Sequence, residues 1–474
     1  MIMKRVVLLV TLFISVFATS SLGQTVPCVD GFAGNYPCHE CDLVSHLSNS
    51  ATGGSNSNDV WGWVSSSGHE FVLHCKFNGT AFIDISDPEN PVFLGHLPTH
   101  TSNSTWRDVK IYDHYAFIVS EAGEHGMQVF DLNQLENVQN PPLTFVADAH
   151  YDGFGDAHNI VINESVPRAY GVGTNTASGG LHIVNISNPL NPTFMGTFAE
   201  DGYTHDAQVV TYNGPDADYT GKEVAFCSNA DTFTIVDVDD PTDCQMVSST
   251  SYDNPGYVHQ GWLTEDHRYF LMGDEGDENS TGDNTRTIII DCLDLDAPVI
   301  AGYWFGSTKA IDHNQYVVQN HNFQSNYRAG LRVLDISDVA NGNMEEVAFF
   351  DVHPDSNSAG FSGSWSNYPY FPSGHIAVTS MAGGIFIIKP TALEGCTNPE
   401  APNYSAVASI DDGSCLISGC PADFNGDLTV NTEDLLFFIA QFGCAQDCMG
   451  DLDADDSVNA QDLLIFLAAF GSDC

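Results

Sequence analysis

Basic side chains are scarce in this sequence. Its 474 residues include 13 Lys and Arg against 62 Asp and Glu, which gives a formal net charge of −49. Nucleic acids and anionic membrane surfaces are bound through Lys and Arg side chains that neutralise phosphate groups. We therefore expect neither partner, and we expect a soluble, self-repelling exterior that can attract cations.

Long apolar runs are equally scarce. The clearest one, residues 6–18, follows the basic pair Lys4 and Arg5 and precedes the small residues around Gly23. It is too short to span a bilayer comfortably, and this order is typical of a secretory signal peptide, which we place at residues 1–23. No later run is suited to a membrane helix, so we expect a secreted, extracellular or cell-surface protein with no transmembrane segment in the mature chain.

Two further absences limit the chemistry and the fold. No Gly-x-Ser-x-Gly elbow, Walker loop or dinucleotide fingerprint occurs in a matching context. Almost no helical periodicity occurs before residue 420, where short apolar runs alternate with turn residues instead. The alternating pattern therefore predicts β structure for most of the chain. The missing motifs leave no recognised set of catalytic residues.

The 13 cysteines form groups. Three lie at positions 28, 38 and 41, four are scattered from 75 to 292, and six lie between 396 and 474. In an exported protein they indicate disulfides rather than redox centres or zinc ligands, and the odd total leaves at least one thiol unpaired or intermolecular. Cys38 and Cys41 have redox-motif spacing, but no βαβ pattern surrounds them, so we do not assign that role.

A repeated cassette organises the middle of the chain. In residues 80–97 a β-branched and aromatic run ends at Asp84, a Pro/Asn-rich turn follows, and a second apolar run begins at Val92. The cassette returns at 181–196, 233–241, 288–298 and 331–338, and in a looser form at 127–133. The Asp that ends each first run, as at Asp84, Asp237 and Asp335, is predicted to bond the amides of the turn.

Seven units of this kind fill residues 42–390. All but the last contain four short β-type runs separated by Gly, Asn, Asp and Pro. Four strands repeated at a period of about 50 residues are typical of propeller blades, so we predict an all-β, seven-bladed β-propeller over residues 24–390. The first strands of the units are predicted to start near Trp61, Arg107, His158, His205, His259, His313 and Trp365.

The seventh unit is incomplete. Its third run is followed by Lys389 and Pro390 where the cassette turn should stand, and no fourth run follows. Residues 41–48 are similar to the outer run 91–98 of the first unit. We therefore predict that this N-terminal strand crosses over, completes the last blade and closes the ring.

The cassettes resemble LVIVD repeats, and residues 28–390 resemble the choice-of-anchor B family of secreted bacterial proteins. The stretches that carry the second resemblance include 106–110, 148–159, 201–208, 259–270 and 326–337. The resemblance implies a secreted or surface domain of unestablished activity carried on varying C-terminal attachment modules. It supplies no catalytic residues.

Composition changes after residue 390. Residues 391–419 form a short Cys-bracketed linker module in which Cys396 and Cys415 are predicted to pair. Residues 420–474 contain two copies of a 12-residue acidic loop followed by an apolar run, starting at Asp423 and Asp451. Cys420 with Cys444 and Cys448 with Cys474 flank the two copies, which suggests one disulfide per copy, although pairing between copies is equally allowed.

The acidic loops have the oxygen-donor spacing of calcium loops, and calcium is the one cofactor that the sequence indicates. Each loop leads into an apolar run, as in half of an EF-hand, and the tandem resembles a type I dockerin. Leu428 and Asp456 replace the usual Gly at the sharp turn, and solvated acidic turns are the alternative interpretation. The predicted ligands are Asp423, Asn425, Asp427, Thr429 and Asp434 in the first loop, and Asp451, Asp453, Asp455, Ser457 and Asp462 in the second.

Histidines recur at the start of the first strand in four successive units, at positions 158, 205, 259 and 313. Because first strands line the channel of a propeller, these imidazoles could hold a metal ion or act as acid and base. The alternative is a repeated structural role, with each ring bonding the backbone of a loop. The acidic run 273–278 could bind calcium, but we expect an exposed acidic loop.

These features lead to a hypothesis of an extracellular propeller that binds a protein or polysaccharide. The calcium-binding tandem would dock it to a cohesin-like or envelope partner. The rival hypothesis is a metal-dependent hydrolase or oxidase that uses His158, His205, His259 and His313. A third is a structural surface-layer component.

Overall fold

The computed structural model describes residues 24–399, 401, 403–415, 422–424, 429–444, 450, 452 and 457–471. The predicted signal peptide at 1–23 and the predicted ligands Asn425, Asp427, Asp451, Asp453 and Asp455 lie outside the described residues. So do Cys420, Cys448 and Cys474. Within the described part of the chain, every helix is too short or too polar to cross a membrane.

Seven antiparallel sheets of four main strands form the blades of a β-propeller, which confirms the predicted seven-bladed architecture. The innermost strand of each blade contacts those of the two neighbouring blades, and the seventh contacts the first. These inner strands are Ser57–Val64, Arg107–Tyr112, Asn159–Asn163, Asp206–Thr211, Val258–Leu263, Gln315–Val318 and Ser364–Tyr368 for blades 1 to 7. All but one begin within two residues of the predicted starts, and Ser57 begins four residues early.

The remaining strands of blades 1 to 4 follow in chain order from the channel outwards. They are Glu70–Lys76, Gly79–Asp84 and Val92–Pro98 in blade 1; Tyr115–Ser120, Met127–Asp131 and Ala149–Tyr151 in blade 2; Arg168–Val172, Leu181–Asn185 and Thr193–Phe198 in blade 3; and Glu223–Ser228, Phe233–Asp237 and Gln245–Thr250 in blade 4. A short strand, Leu143–Thr144, pairs in parallel with the outer strand of blade 1.

Blades 5 and 6 follow the same order, whereas blade 7 takes its outer strand from the N-terminal region. The strands are Tyr269–Asp274, Arg286–Asp291 and Val299–Phe305 in blade 5; His321–Ser325, Leu331–Asp335 and Glu345–Phe350 in blade 6; and Ile376–Ser380, Gly384–Pro390 and Cys41–Leu47 in blade 7. Tyr36–His39 extends blade 6 beyond its outer strand and pairs in turn with Phe32–Ala33.

The hydrophobic core lies between neighbouring blades. The middle strands are buried on both faces because each blade is covered by the next, so their runs are nearly continuous in β-branched and aromatic residues. Between blades 1 and 2, Phe82 stacks on Phe130 with ring centroids 4.7 Å apart. Between blades 4 and 5, Phe233 and Phe270 are also 4.7 Å apart. Core packing of this kind is what holds the ring of sheets together.

The cassette acids are turn residues, as predicted. Asp84 Oδ1 accepts from Ser86 N at 2.9 Å, Asp237 Oδ1 from Asp239 N at 3.1 Å, and Asp335 Oδ1 from Ser337 N at 2.7 Å. Asp131, Asn185 and Asp291 make the same bond two residues ahead in blades 2, 3 and 5. In each of these blades the third strand therefore ends in the same kind of turn, in which the Asp or Asn side chain accepts from a backbone amide of the turn.

The disulfide prediction is right for one pair and wrong for the central cysteines. Cys396 pairs with Cys415, and Cys28 pairs with Cys38. Cys41, Cys75, Cys227, Cys244 and Cys292 are free thiols, and all but Cys244 are buried. The central cysteines behave as small apolar core residues, since burial raises the pKa of the Cys75, Cys227 and Cys292 thiols.

The described helices are few and short. They are Asp277–Thr281, Thr432–Gln441 and Ala460–Ala469, with 3-10 turns at Leu132–Leu135, Ala177–Gly179 and Val339–Asn341. After the propeller, Glu394–Gly395 pairs in parallel with Ile410–Asp411. The two longer helices belong to the C-terminal tandem and pack through Phe438 and Phe466, whose ring centroids are 5.4 Å apart.

Candidate functional site

The central channel has two chemically different mouths. One mouth lies where the inner strands begin and carries the four predicted histidines. The other lies where the inner strands end and carries aromatic side chains around a cavity. Both mouths are built from inner strands because these are the strands that contact each other around the ring.

The structure brings the four predicted histidines together at the first mouth. Their rings follow one another around the channel, with centroid distances of 4.1 Å from His158 to His205, 4.2 Å from His205 to His259 and 4.2 Å from His259 to His313. The space that they share with Trp106 and Trp365 is a void of about 10 Å³. The cluster is therefore tightly packed.

Hydrogen bonds to the next blade orient these rings. His205 Nδ1 donates to His259 O at 2.9 Å, and His313 Nδ1 donates to Trp365 O. Since a carbonyl oxygen only accepts, both rings carry their proton on Nδ1 and leave Nε2 with a lone pair when neutral. The spacing of one histidine per blade thus gives a repeated contact between neighbouring blades.

Burial keeps three of the rings neutral. It lowers the pKa of His313 to about 3, and it lowers the pKa of His205 and His259 well below the usual histidine value, with neighbouring histidines adding to the effect. His158 differs because its Nδ1 bonds the Glu121 carboxylate. His205, His259 and His313 therefore present nitrogen lone pairs at neutral pH rather than positive charges.

The acidic run 273–278 is not the exposed loop that the sequence suggested. Asp274, Asp277 and Glu278 are 0%, 3% and 2% exposed. Asp274 accepts bonds from Tyr252 Oη and from the amides of Gly256 and Tyr257. The expectation failed because this loop turns inward against the 252–257 segment of its own blade rather than outward.

Glu275, from the same loop, reaches the histidine cluster. Its carboxylate oxygens lie 3.9 Å from His259 Nε2 and 3.8 Å from His313 Nε2. Tyr327 Oη donates to Glu275 Oε1 at 2.6 Å and so fixes the carboxylate. Burial raises the Glu275 pKa to about 7, although the Tyr327 bond opposes that shift. In the sequence this residue is one of an acidic run, and no sequence pattern connects it with the histidines.

The second mouth opens into a cavity of about 370 Å³, which the sequence analysis missed. Five aromatic side chains line it: Trp61, Trp262, Tyr316, Tyr368 and Tyr370. Their rings meet mainly edge to face, with Trp61 5.1 Å from Tyr368 and Trp262 5.0 Å from Tyr316 between centroids. A possible signal was the aromatic content of inner strands, but these residues occupy different strand positions in different blades.

Charged groups lie at the base of the cavity. Lys110 Nζ lies 2.7 Å from Asp108 Oδ1 and 4.6 Å from the centre of the Trp61 ring. Burial alone would lower the pKa of Lys110, but the Asp108 carboxylate reverses this and raises it, so the ammonium stays charged. Burial raises the pKa of Asp206 to about 7, with Lys110 opposing the shift. The Lys110 ammonium and the carboxyls of Asp206 and Glu164 thus line a cavity whose remaining side chains are aromatic, aliphatic and amide.

The five predicted calcium ligands within the described residues lie in the C-terminal tandem. Asp434 accepts from Phe424 N at 2.8 Å and Asn431 N at 2.9 Å. Asp462 repeats both bonds with Leu452 N at 2.7 Å and Asn459 N at 2.8 Å. Thr429 and Ser457 accept from the side-chain amides of the same two asparagines. The two copies therefore make the same hydrogen bonds at these equivalent positions.

The comparison with protein families finds one match within the propeller. A model of the LVIVD repeat matches residues 176–200, which contain Leu181–Asn185 and Thr193–Phe198 of blade 3. No curated protein matches the chain. A β-propeller that carries this repeat indicates a binding or interaction scaffold, and the residues of its sites must decide what is bound.

Proposed function

We propose that this protein is an extracellular binding protein. Its propeller binds a small ligand, or the end of a polysaccharide chain, in the aromatic cavity, and its C-terminal tandem docks it through calcium to a protein partner. The observation that carries the proposal is the cavity of about 370 Å³ lined by Trp61, Trp262, Tyr316, Tyr368 and Tyr370. Ligand sites are concave, mainly apolar and typically about 300–1,000 Å³, with a few polar groups that orient the ligand.

The lining favours a ligand with a flat apolar face and polar edges, such as a sugar ring. Trp61 is 6% exposed, and its indole Nε1–H has no protein acceptor within the described residues. Tyr316 and Tyr370 use their hydroxyls within the protein, on Ser366 and Val317 O. The aromatic faces, the Lys110 ammonium and the Asp206 carboxyl would therefore contact the ligand.

An extracellular location is supported by two observations. The Cys28–Cys38 and Cys396–Cys415 disulfides are typical of oxidising compartments. The resemblance of residues 28–390 to the choice-of-anchor B family implies the same location. The leader predicted at residues 1–23 would provide the route of export.

The histidine cluster supports the rival enzyme hypothesis less well than it first suggests. A catalytic site needs room for a substrate beside its reactive groups. The space beside His158, His205, His259 and His313 is about 10 Å³, which is about one water molecule. The aromatic cavity, in contrast, has room for a ligand but no histidine in its lining. Binding is therefore the better-supported function.

Docking through the tandem is supported by its surface. Each helix, together with the residue that follows it, exposes large apolar side chains at three positions that are equivalent in the two copies. They are Leu436 (69%), Ile439 (56%) and Phe442 (51%), and Leu464 (68%), Leu467 (50%) and Phe470 (42%). Apolar side chains clustered at this exposure mark protein–protein contacts in extracellular modules, and calcium in the loops would fix the helices that carry them.

A soluble-oligosaccharide array followed by calorimetry on any hit tests the cavity. Trp262→Ala should abolish or weaken binding at least tenfold. Trp304→Ala is a matched control because Trp262 and Trp304 are both half-buried and pack on the same core cluster, whereas only Trp262 lines the cavity. Equal losses in the two variants, or binding that survives Trp262→Ala, would remove the cavity as the ligand site.

Calcium titration of the metal-free protein tests the tandem. We expect two calcium ions per chain, and we expect Asp423→Asn with Asp451→Asn to reduce this number to none while the oligosaccharide affinity stays unchanged. Binding of no calcium by the unmodified chain would reject calcium-dependent docking and leave the cavity proposal standing.

A further inference from the structure

Three metal-binding groups from two adjacent blades converge at the histidine mouth. His259 lies on the inner strand Val258–Leu263 of blade 5, Glu275 follows the next strand of the same blade, and His313 precedes the inner strand of blade 6. One ligand atom of each residue lies within 4.8 Å of the others. His259 and His313 are 2% and 4% exposed, so the nitrogen atoms are shielded from bulk water.

The distances between the Glu275 oxygens and the two histidine nitrogens are too long for hydrogen bonds but leave space for an ion between them. The carboxylate oxygens are 3.9 and 3.8 Å from the two Nε2 atoms, beyond hydrogen-bonding distance. Tetrahedral ligands at 2.0–2.2 Å from zinc are about 3.4 Å apart. The two nitrogen–oxygen distances, which involve different oxygens of Glu275, exceed this separation by about half an ångström, so the groups must move inward to hold an ion.

Hydrogen bonds from outside the three groups prepare His313 and Glu275 as ligands, whereas His259 is held by a ring contact. His313 donates Nδ1–H to Trp365 O, which directs the Nε2 lone pair towards Glu275. Tyr327 Oη holds Glu275 Oε1 at 2.6 Å, and the His205 ring packs against His259 at 4.2 Å. Metal-binding histidines and carboxylates are normally held by such outer hydrogen bonds, which set tautomer and orientation.

We propose that His259, Glu275 and His313 bind one divalent transition-metal ion of the zinc type. Two imidazoles and one carboxylate are ligands for zinc rather than calcium, which prefers oxygen ligands. The ion would join blade 5 to blade 6 and neutralise a carboxylate enclosed among buried aromatic and histidine rings. With about 10 Å³ beside it, its fourth position has room for one water molecule and none for a substrate, so the site is structural.

The test is metal loading of the complete chain, freed of any affinity tag and of metal, with zinc in the presence of saturating calcium. We expect one zinc per chain by elemental analysis and a zinc-dependent rise in the midpoint of thermal unfolding, because an ion that binds only the folded state stabilises it. Glu275→Gln keeps the size of the side chain and an acceptor for Tyr327 Oη, so the variant should fold. It should lose the bound zinc and the rise in midpoint.

Glu121→Gln is the matched control, since Glu121 is a second carboxylate at this mouth that contacts a channel histidine, His158. It should bind zinc as the unmodified chain does. Cobalt in place of zinc should give the visible absorption of a four-coordinate ion in the control and none in Glu275→Gln. Absence of stoichiometric zinc from the unmodified chain, or its retention in Glu275→Gln, would overturn the proposal. Either result would leave the oligosaccharide affinity of the opposite mouth unaffected.

Discussion

At the scale of single residues, the repeated acid of the cassette has a defined task. In six blades an Asp or Asn at the end of the third strand accepts a bond from the amide two residues ahead. Blade 3 uses Asn185, so the bond needs a side-chain oxygen of this length and not a negative charge. The net charge of the protein is −49, and the acids that accept these turn bonds are needed for their side-chain oxygen rather than for their charge.

Asp84 allows this to be tested. Asp84→Ala should lower the free energy of unfolding by about 1 kcal/mol, because the Ser86 amide loses its acceptor. Asp84→Asn should stay within about 0.5 kcal/mol of the unmodified chain, since Asn185 does the same work in blade 3. Chemical denaturation of both variants measures the difference. A loss as large in Asp84→Asn as in Asp84→Ala would show that the charge, not the bond, matters.

The candidate site was predictable to the extent that it follows the repeat. His205, His259 and His313 recur at blade spacing, and the structure places them side by side for that reason. Glu275 could not be predicted as their partner, because its position depends on how a loop folds after Asp274. The aromatic cavity could not be predicted either, since residues from all seven blades meet there only once the ring is formed.

At the scale of strands, most blades share a β-bulge that the sequence repeat does not reveal. The pairing of the third and outer strands shifts register in six blades, at residues such as Phe82 and Ile83 in blade 1 and Ile235 and Val236 in blade 4. Such bulges add twist, which suits blades that turn away from the channel. Apolar alternation located the strands but not the bulges, because one extra residue between two correctly patterned halves leaves both patterns intact.

The strand Cys41–Leu47 is the element on which ring closure can be tested. It pairs with Gly384–Pro390, and Lys76 of blade 1 donates to Asn49 O, Thr52 O and Thr52 Oγ1 in the segment that follows. Removing residues 24–48 would expose the edge of the third strand of blade 7 and uncover its core. We expect a chain that unfolds at a lower temperature by at least 10 °C and self-associates, as measured by calorimetry and light scattering.

Removal of residues 24–27 alone is the control, since it deletes the isolated bridge between Val26 and Leu43 but keeps Cys28 and the strand. This shorter deletion should change the unfolding temperature by a few degrees at most. If both deletions behave like the unmodified chain, the strand pairs with blade 7 without contributing to closure.

At the scale of the whole molecule, one channel joins two sites of different character. The inner strands run from a histidine mouth to an aromatic mouth, with the Asp108–Lys110 pair near the aromatic end. The ring makes this possible because residues at the starts of six inner strands line the histidine mouth, whereas all seven inner strands contribute to the aromatic cavity. A metal ion at one end and a ligand at the other would therefore share a scaffold without sharing side chains.

The excess of acids gives the last prediction. With 62 acidic and 13 basic residues, the folded chain concentrates like charges that the unfolded chain can spread apart. Salt screens such repulsion, since the Debye length falls from about 30 Å at 0.01 M to about 8 Å at 0.15 M. The metal-free protein at neutral pH should thus unfold several degrees higher in 0.15 M than in 0.01 M sodium chloride. Potassium chloride should give the same rise, because screening depends on ionic strength and not on the cation. A midpoint that does not change with salt, or one that rises with only one of the two salts, would mean that bound ions rather than general repulsion set the stability of this propeller.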